Sequence, residues 1–496
     1  MQRPIGLVSI IGAILLGFSA IPAFRQFFLD SPTANVHIII GVAPIFSHFE
    51  KFKVIAQALI RQGYNVTFLT GPLFREEIEE IGATFSQLNG SADFDFENRH
   101  TTYPELRVLP EGPERVLWEM RKWFIDPIPD QHRSLQRILG EIKSTAPGKA
   151  AKVIYLENNS FGAASPVFYG APNTIWPDGI IKIGTCTLTM ESVDTPPWGR
   201  GLAPYSSAQD RTARRERDFD QFNAMMGPIQ KSWEAALGAA GVPLHGDQTA
   251  RPARFLDGLA RSCDIYLQMS IPELEYVRSD LPEWVRFIGA LPAVGRRNNT
   301  PSLPDWWDDV IYASDHQKKP IVVVSQGSVH NDPRHLIIPT IQSLQDLDVT
   351  VIATLVETAE LPSDVSIPSN TRIAQFIPFD LLFPHATALV SNGGFGTVQQ
   401  ALFHGLPMVL AGTSADKAET NAHVAWAGAA INLAQQQPKA KTIRDAVIQV
   451  LSNSTWTDQS LKLRGRYASY DAVAEIVKAI EELARDTDNK RRKPTM

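Results

Sequence analysis

The chain has 496 residues, 44% of them hydrophobic and 20% charged, which is enough for two ordinary domains, each with its own core. A formal net charge of -6 at pH 7 argues against a nucleic-acid partner, since such binding runs on Lys and Arg neutralising phosphates. The only cysteines, Cys186 and Cys263, exclude a disulfide framework and a cysteine-based metal site and leave room for a single bridge.

The first element is apolar. Ile5 to Phe24 carries no charge over about 20 residues, the length a helix needs to cross the hydrocarbon core, and Arg3 and Arg25 bracket it. A signal peptide has a shorter apolar region of about 7–15 residues. The expectation is therefore a single-pass membrane anchor, with the endoplasmic reticulum as its membrane; cleavage would instead make the chain secreted. Sequons at Asn65, Asn89, Asn158, Asn298 and Asn453 would carry glycans if the chain faced the secretory lumen.

Next, NVHIIIGVAP (Asn35 to Pro44) is an apolar, β-branched run without alternation, as a parallel strand covered on both faces requires. HFEKFKVIAQALIRQG then sets Phe52, Ile55, Ala56, Leu59 and Ile60 at helical spacing, with Gly63 as the stop, and YNVTFLTG is a second strand. Strand, helix, strand predicts a parallel sheet. His48 opens that helix just past the first strand, where it is either a cap or surface residue or a general base with a pKa near neutrality.

Further on, DFDFE (Asp93 to Glu97) imitates a D-x-D metal motif but follows a Gly-Ser loop and no matching strand, so it reads as a solvated loop. No metal is expected. In VLWEMRKWF (Val116 to Phe124) the residues Trp118, Trp123 and Phe124 sit at helical spacing, as core or as the lining of an apolar acceptor cleft. KVIYLENNSFGAASP (Lys152 to Pro166) is another strand, with Glu157 and Asn158 at its polar end. Arg200 to Ala260 is helix-biased decoration, and Gly289 to Asp309, rich in Gly, Pro, Asn and Ser, reads as linker and hinge.

A second set of strands follows: KPIVVVSQGS, VTVIATL, TRIAQF, ATALVS and LPMVLAG, from Lys319 to Gly412. ATALVS ends at Asn392-Gly393-Gly394, and Thr397 to Phe403 has helical spacing. Glycines 393, 394 and 396 would let the backbone approach a phosphate at a helix amino-terminus, with Thr397 in the first turn. Alone, such a turn is as readily a packing device. GFGTVQ lacks the third glycine of a dinucleotide fingerprint, which disfavours an NAD enzyme.

The longer stretch Phe376 to Leu433, together with VVVSQGS, resembles the donor-binding signature of the UDP-glycosyltransferase family, inverting enzymes of the GT-B fold. The resemblance implies an α/β chain of two Rossmann-like parallel-sheet domains facing across a cleft. Its divisions would be an anchor or signal (1–30), an acceptor-binding domain (31–295), a linker (296–318), a donor domain (319–470) and a C-terminal helix with a basic tail (471–496). The implied activity is inverting transfer of a hexose from a UDP-sugar to a hydroxyl of a lipophilic small molecule, a secondary metabolite, sterol or lipid-like acceptor. The nucleotide sugar is a co-substrate, and no cofactor is implied.

Residue by residue, the resemblance puts Ser328, Gly393, Gly394, Gly396 and Thr397 on the diphosphate, with Asn392 at the family's histidine. Phe376 stands for the base-stacking Trp and Gln400 for the ribose-binding acid, while Asp416 and Lys417, with Glu419 and Asn421 nearby, lie at the sugar. His48 would be the catalytic base, with Glu157, or Asn158 one residue on, as its orienting partner. Asn392 cannot become positive, and Gln400 offers one acceptor where a carboxylate offers two. Two other readings stay open. One is a nucleotide-sugar epimerase of the same fold; the other is a non-catalytic UDP-sugar-binding subunit, against which the intact His48 loop speaks.

Overall fold

The computed structural model describes residues 35–110, 112–145, 152–244, 253–291, 303–327, 332–355 and 361–486. The expected anchor, Ser328 and Asn298 lie outside the described residues. Among the described residues no helix is long and apolar enough to cross a membrane.

Two wholly parallel sheets organise the chain. The first contains β1 (Val36–Gly41), β2 (Asn65–Thr70), β3 (Thr84–Gln87), β4 (Lys152–Asn158), β5 (Gly179–Gly184), β6 (Ile265–Gln268) and β7 (Val285–Phe287), in the order β3-β2-β1-β4-β5-β6-β7. The second contains β8 (Ile321–Ser325), β9 (Thr350–Thr354), β10 (Thr371–Ala374), β11 (Ala388–Ser391), β12 (Met408–Leu410) and β13 (Ala430–Asn432), in the order β10-β9-β8-β11-β12-β13. Unbroken apolar runs are needed because both faces are covered. Ile38 and Ile40 of β1 pack with Phe49 and Phe52 on one side, while Ile39 packs with Val153 and Tyr155 on the other. In β8, Val322 and Val324 go one way and Ile321 and Val323 the other.

The helices that bear on the site are α1 (Phe46–Arg61), α2 (Pro113–Met120), α3 (Ala208–Ala239), α4 (Trp307–Gln317), α5 (Phe395–His404), α6 (Lys417–Trp426) and α7 (Ala472–Arg485). One of them corrects the sequence reading. The expected linker is structured from 303 onward, because Trp306, Trp307, Val310 and Ile311 recur at helical spacing and join the core of the second unit through α4. Helix α7, the last among the described residues, returns to the first unit. Its Ala472, Ile476, Ala479 and Ile480 enter the β1 core, and Arg286 of β7 forks onto Glu482 at 2.7 Å. The sequon at Asn158 is also excluded as a glycan site, since that side chain is fully buried.

Candidate active site

In both sheets the strand order reverses once, between β1 and β4 and between β8 and β11. Such a reversal opens a crevice at the carboxyl ends of the two strands, because their connections leave in opposite directions. Each expected half-site falls on one of these crevices.

In the first unit, His48 lies in the opening turn of α1, directly after β1, and Asn158 is the last residue of β4. His48 Nδ1 is 3.1 Å from Asn158 Oδ1 and 3.1 Å from Ser160 Oγ. Asn158 Nδ2 donates to Thr185 Oγ1 at 3.0 Å, which fixes its oxygen toward the imidazole. The Ser160 amide and hydroxyl both donate to that same oxygen. Nδ1 therefore carries the proton, and Nε2 keeps a lone pair. Burial, with the Lys51 charge adding to it, pulls the imidazole down to about 4 against the opposing effect of the hydrogen bond it donates to Asn158.

Glu157 is not the orienting partner. Successive strand side chains point to opposite faces, and Glu157 is in register with Lys182 of the neighbouring strand β5. The two form a fully buried ion pair at 2.7 Å. Glu157 also accepts from the Ala164 amide at 3.3 Å, and Lys182 donates to the Leu259 carbonyl at 2.6 Å. Desolvation raises the Glu157 carboxyl and outweighs the pull of Lys182. The signal was present in the sequence: a lone Lys inside the apolar run GIIKIG needs an acid on the adjacent strand.

The three aromatic candidates separate. Beyond α2 the backbone widens into a π-turn over Arg121–Ile125, and such turns re-aim side chains. Trp123 is 3% exposed and sits in the core among Phe94, Phe96, Tyr103 and Trp118, so it does not line a cleft. Trp118 packs edge-on against Tyr103 and Trp123. Phe124 alone turns to the histidine, its ring stacked on His48 with centroids 6.3 Å apart. The same packing explains DFDFE: its two phenylalanines are buried, while Asp93 and Asp95 accept from Gln87 and Asn98.

In the second unit, Asn392 follows β11 and accepts from the Gly327 amide after β8 at 3.3 Å, closing the crevice from both sides. Its Nδ2 is buried with no partner among the described residues. Gly393 has φ +86°, and a Cβ there would lie 1.6 Å from Asn421 Oδ1. Asn421 is fully buried and donates to the Gly412 carbonyl at 3.1 Å and the Asn392 carbonyl at 3.4 Å. It pins the loop from below and does not face the cleft. Gly394 opens onto free space. No side chain caps the amino end of α5, which leaves the first-turn amides beside Gly396 and the half-buried Thr397 for an anion. Gln400 is half-buried one turn on, Phe376 is 37% exposed beyond β10, and Lys417 is largely buried against Gly412.

Across the cleft, Asp416 before α6 acts electrostatically on Lys51 and on Cys186, whose thiol burial and that carboxylate push up to about 12. Neither Cys186 nor Cys263 is in a disulfide, so no bridge joins them. Contacts that the sequence did not disclose hold the units together. Glu419 Oε1 accepts three consecutive amides, from Gly199 at 2.8 Å and from Arg200 and Gly201 at 2.9 Å each. Gln399 of α5 donates to the Met269 carbonyl. His423 of α6 lies between Glu275 at 3.3 Å and Glu419 at 3.6 Å.

Residues 339–483 match the family model described as Erythromycin biosynthesis protein CIII-like, C-terminal domain. The chain is 43% identical to UDP-glucosyltransferase avaP of Aspergillus versicolor over 91% of its length and 97% of that protein. It is 41% identical to UDP-glycosyltransferase 2 of Phaeomoniella chlamydospora over 91% of its length and 96% of the relative. Among solved structures, the glycotransferase of kitacinnamycin superposes with a TM-score of 0.64 at 18% identity, covering 90% of this chain and 98% of that one. This last likeness concerns the fold.

Proposed function

The chain belongs to the UDP-glycosyltransferase family, and from that premise we propose that it moves a hexose, with inversion, from a UDP-sugar to a hydroxyl of a lipophilic small molecule. The observation that carries this reading is the His48 arrangement at the β1/β4 crevice, opposite the uncapped amino end of α5. His48 Nε2 takes the proton of the acceptor hydroxyl while its oxygen attacks the anomeric carbon, and the bond from that carbon to the β-phosphate oxygen breaks. UDP leaves with the electron pair. Attack from the side opposite the leaving group inverts the centre. Backbone amides and the α5 dipole meet the charge on the diphosphate, so the step invokes no metal. Phe124, stacked on His48, gives the acceptor an apolar wall.

Glucose is the donor sugar this reading favours, because the relative that is 43% identical to this chain is named a UDP-glucosyltransferase. The test is incubation with UDP-glucose and a panel of phenols, sterols and hydroxylated lipids, with products read by mass spectrometry and anomeric configuration by proton coupling. No acceptor-dependent release of UDP, or a retained configuration, overturns it. Attachment to a membrane rests on Ile5 to Phe24 alone, and recovery of the full-length chain entirely in the soluble fraction of its native cells would end that part of the reading.

A further inference from the structure

His48 and Lys51 are three residues apart on α1 and therefore leave the same face of the helix. Lys51 donates to the Ser47 carbonyl at 3.3 Å and forms no ion pair among the described residues. Its stem extends across the cleft, and a Cβ built on Gly396 would lie 4.0 Å from both Lys51 Cε and Nζ. An ammonium from the first unit thus stands over the amino end of α5, a helix of the second. Asn392, Thr397 and the backbone amides gathered there are neutral, and Asp416 and Lys417 stand at the neighbouring amino end of α6. The charged and titratable groups around Lys51 are His48 and Glu50 on its own helix, Asp416 before α6 and Cys186 after β5.

We propose that Lys51 is a catalytic residue of the transfer, its ammonium pairing with the β-phosphate as the bond to the anomeric carbon breaks and the departing oxygen takes the electron pair. The inference rests on the reading of the chain as a transferase from UDP-sugars. Lys51 stays protonated throughout, and the acceptor's proton goes to His48. Because the cation comes from the acceptor unit and the cradle from the donor unit, charge neutralisation is complete only when the two meet. Binding of a diphosphate would also mask the charge that Lys51 holds beside the base, so that donor binding strengthens His48 as a base.

Calorimetric UDP binding tests the inference without any acceptor. Lys51→Ala is expected to weaken UDP about tenfold, and Lys51→Arg, which keeps the charge, to restore it to within about threefold. With an acceptor in hand, kcat of Lys51→Ala falls about 10²-fold, the scale of one lost charge-stabilising group, while KM for UDP-glucose moves less. The acid limb of its pH profile shifts upward as the repelling charge leaves. Melting temperatures are compared first, and Lys51→Met, of similar stem length, replaces the alanine variant should that fail to fold. Unchanged UDP affinity in the uncharged variants, or an arginine variant as impaired as alanine, overturns the inference. A wild-type protein that binds UDP through Lys51 but turns over no acceptor would overturn the transferase reading and leave this contact standing.

Discussion

Replacing Asn158 by Asp changes little in size but places a negative charge at the oxygen that lies 3.1 Å from His48 Nδ1. At an effective dielectric of about 20, unit charges separated by about 3–4 Å attract by about 4–6 kcal/mol. Solvent and the carboxylate's own desolvation take up much of that, and a carboxylate beside a cationic partner shifts pKa by about 1–3 units. The imidazole, held down to about 4 in the native protein, should then titrate at about 5–7. His48 is a base only when neutral, so kcat/KM rises with pH through this pKa. The native profile is accordingly flat above about pH 5, whereas the Asn158→Asp variant begins to lose activity below about pH 6–8. Asn158→Ala acts in the opposite sense: the limb moves down, and losing one neutral hydrogen bond, worth about 1 kcal/mol, costs about fivefold in kcat, since Ser160 Oγ still reaches Nδ1. The assay is initial UDP release across pH at acceptor concentrations well below KM. An acid limb that Asn158→Asp leaves in place refutes the claim that Asn158 orients His48.

Other expectations follow from the same geometry. His48→Ala should lower kcat by about 10²–10⁴-fold with UDP affinity intact; turnover near the native rate removes His48 from the chemistry. Glu157→Gln leaves the buried Lys182 charge without its partner, a loss of about 3–5 kcal/mol in urea unfolding, while the folded protein keeps its kcat; a stable but inactive Glu157→Gln would exchange the roles of residues 157 and 158. Gly393→Ala imposes a left-handed backbone on a residue with a Cβ, about 1–2 kcal/mol, and adds the collision with Asn421; both melting temperature and UDP affinity should fall. Gly394→Ala, where a Cβ meets nothing within 4 Å, should leave the melting temperature alone and weaken UDP only if that space holds the phosphate.

Much of the architecture was legible because parallel strands write themselves as unalternating Val and Ile runs, and because glycine turns mark where such strands end. The positions of His48 and of the Gly393–Gly396 loop follow from that punctuation alone. What a linear reading leaves out is which face a strand residue presents. Glu157 and Asn158 differ by one residue, and in a strand buried on both sides no polar alternation reveals that one side chain meets Lys182 and the next the histidine. Trp123 and Phe124 repeat the difficulty in a helix, where the π-turn decides which ring goes inward. The Trp306–Ile311 segment was hidden by its neighbours, a Pro- and Asn-rich stretch whose composition masks two helical turns of apolar residues.

The contacts least visible in the sequence are those between the units, and they bear most directly on function. Three amides converge on one carboxylate oxygen of Glu419 because Gly199 and Gly201 both take positive φ, +102° and +62°, and a Cβ at Gly201 would strike the Ala418 carbonyl. The carboxylate belongs to α6, whose amino end presents Asp416 and Lys417, and the loop belongs to the first unit. Fixing Glu419 therefore fixes the distance across the cleft at which Asp416 acts on Lys51 and at which Lys51 meets Gly396. Hydrogen bonds to charged groups are worth about 1.5–3 kcal/mol each when lost, so Glu419→Gln, which keeps the acceptor oxygen but drops the charge, loosens this joint without removing any group that the proposed reading places on a substrate. A base poised on one unit and an anion cradle on the other can cooperate only at that separation. On the proposed reading, the separation that this joint sets is a part of the chemistry that neither half-site contains by itself.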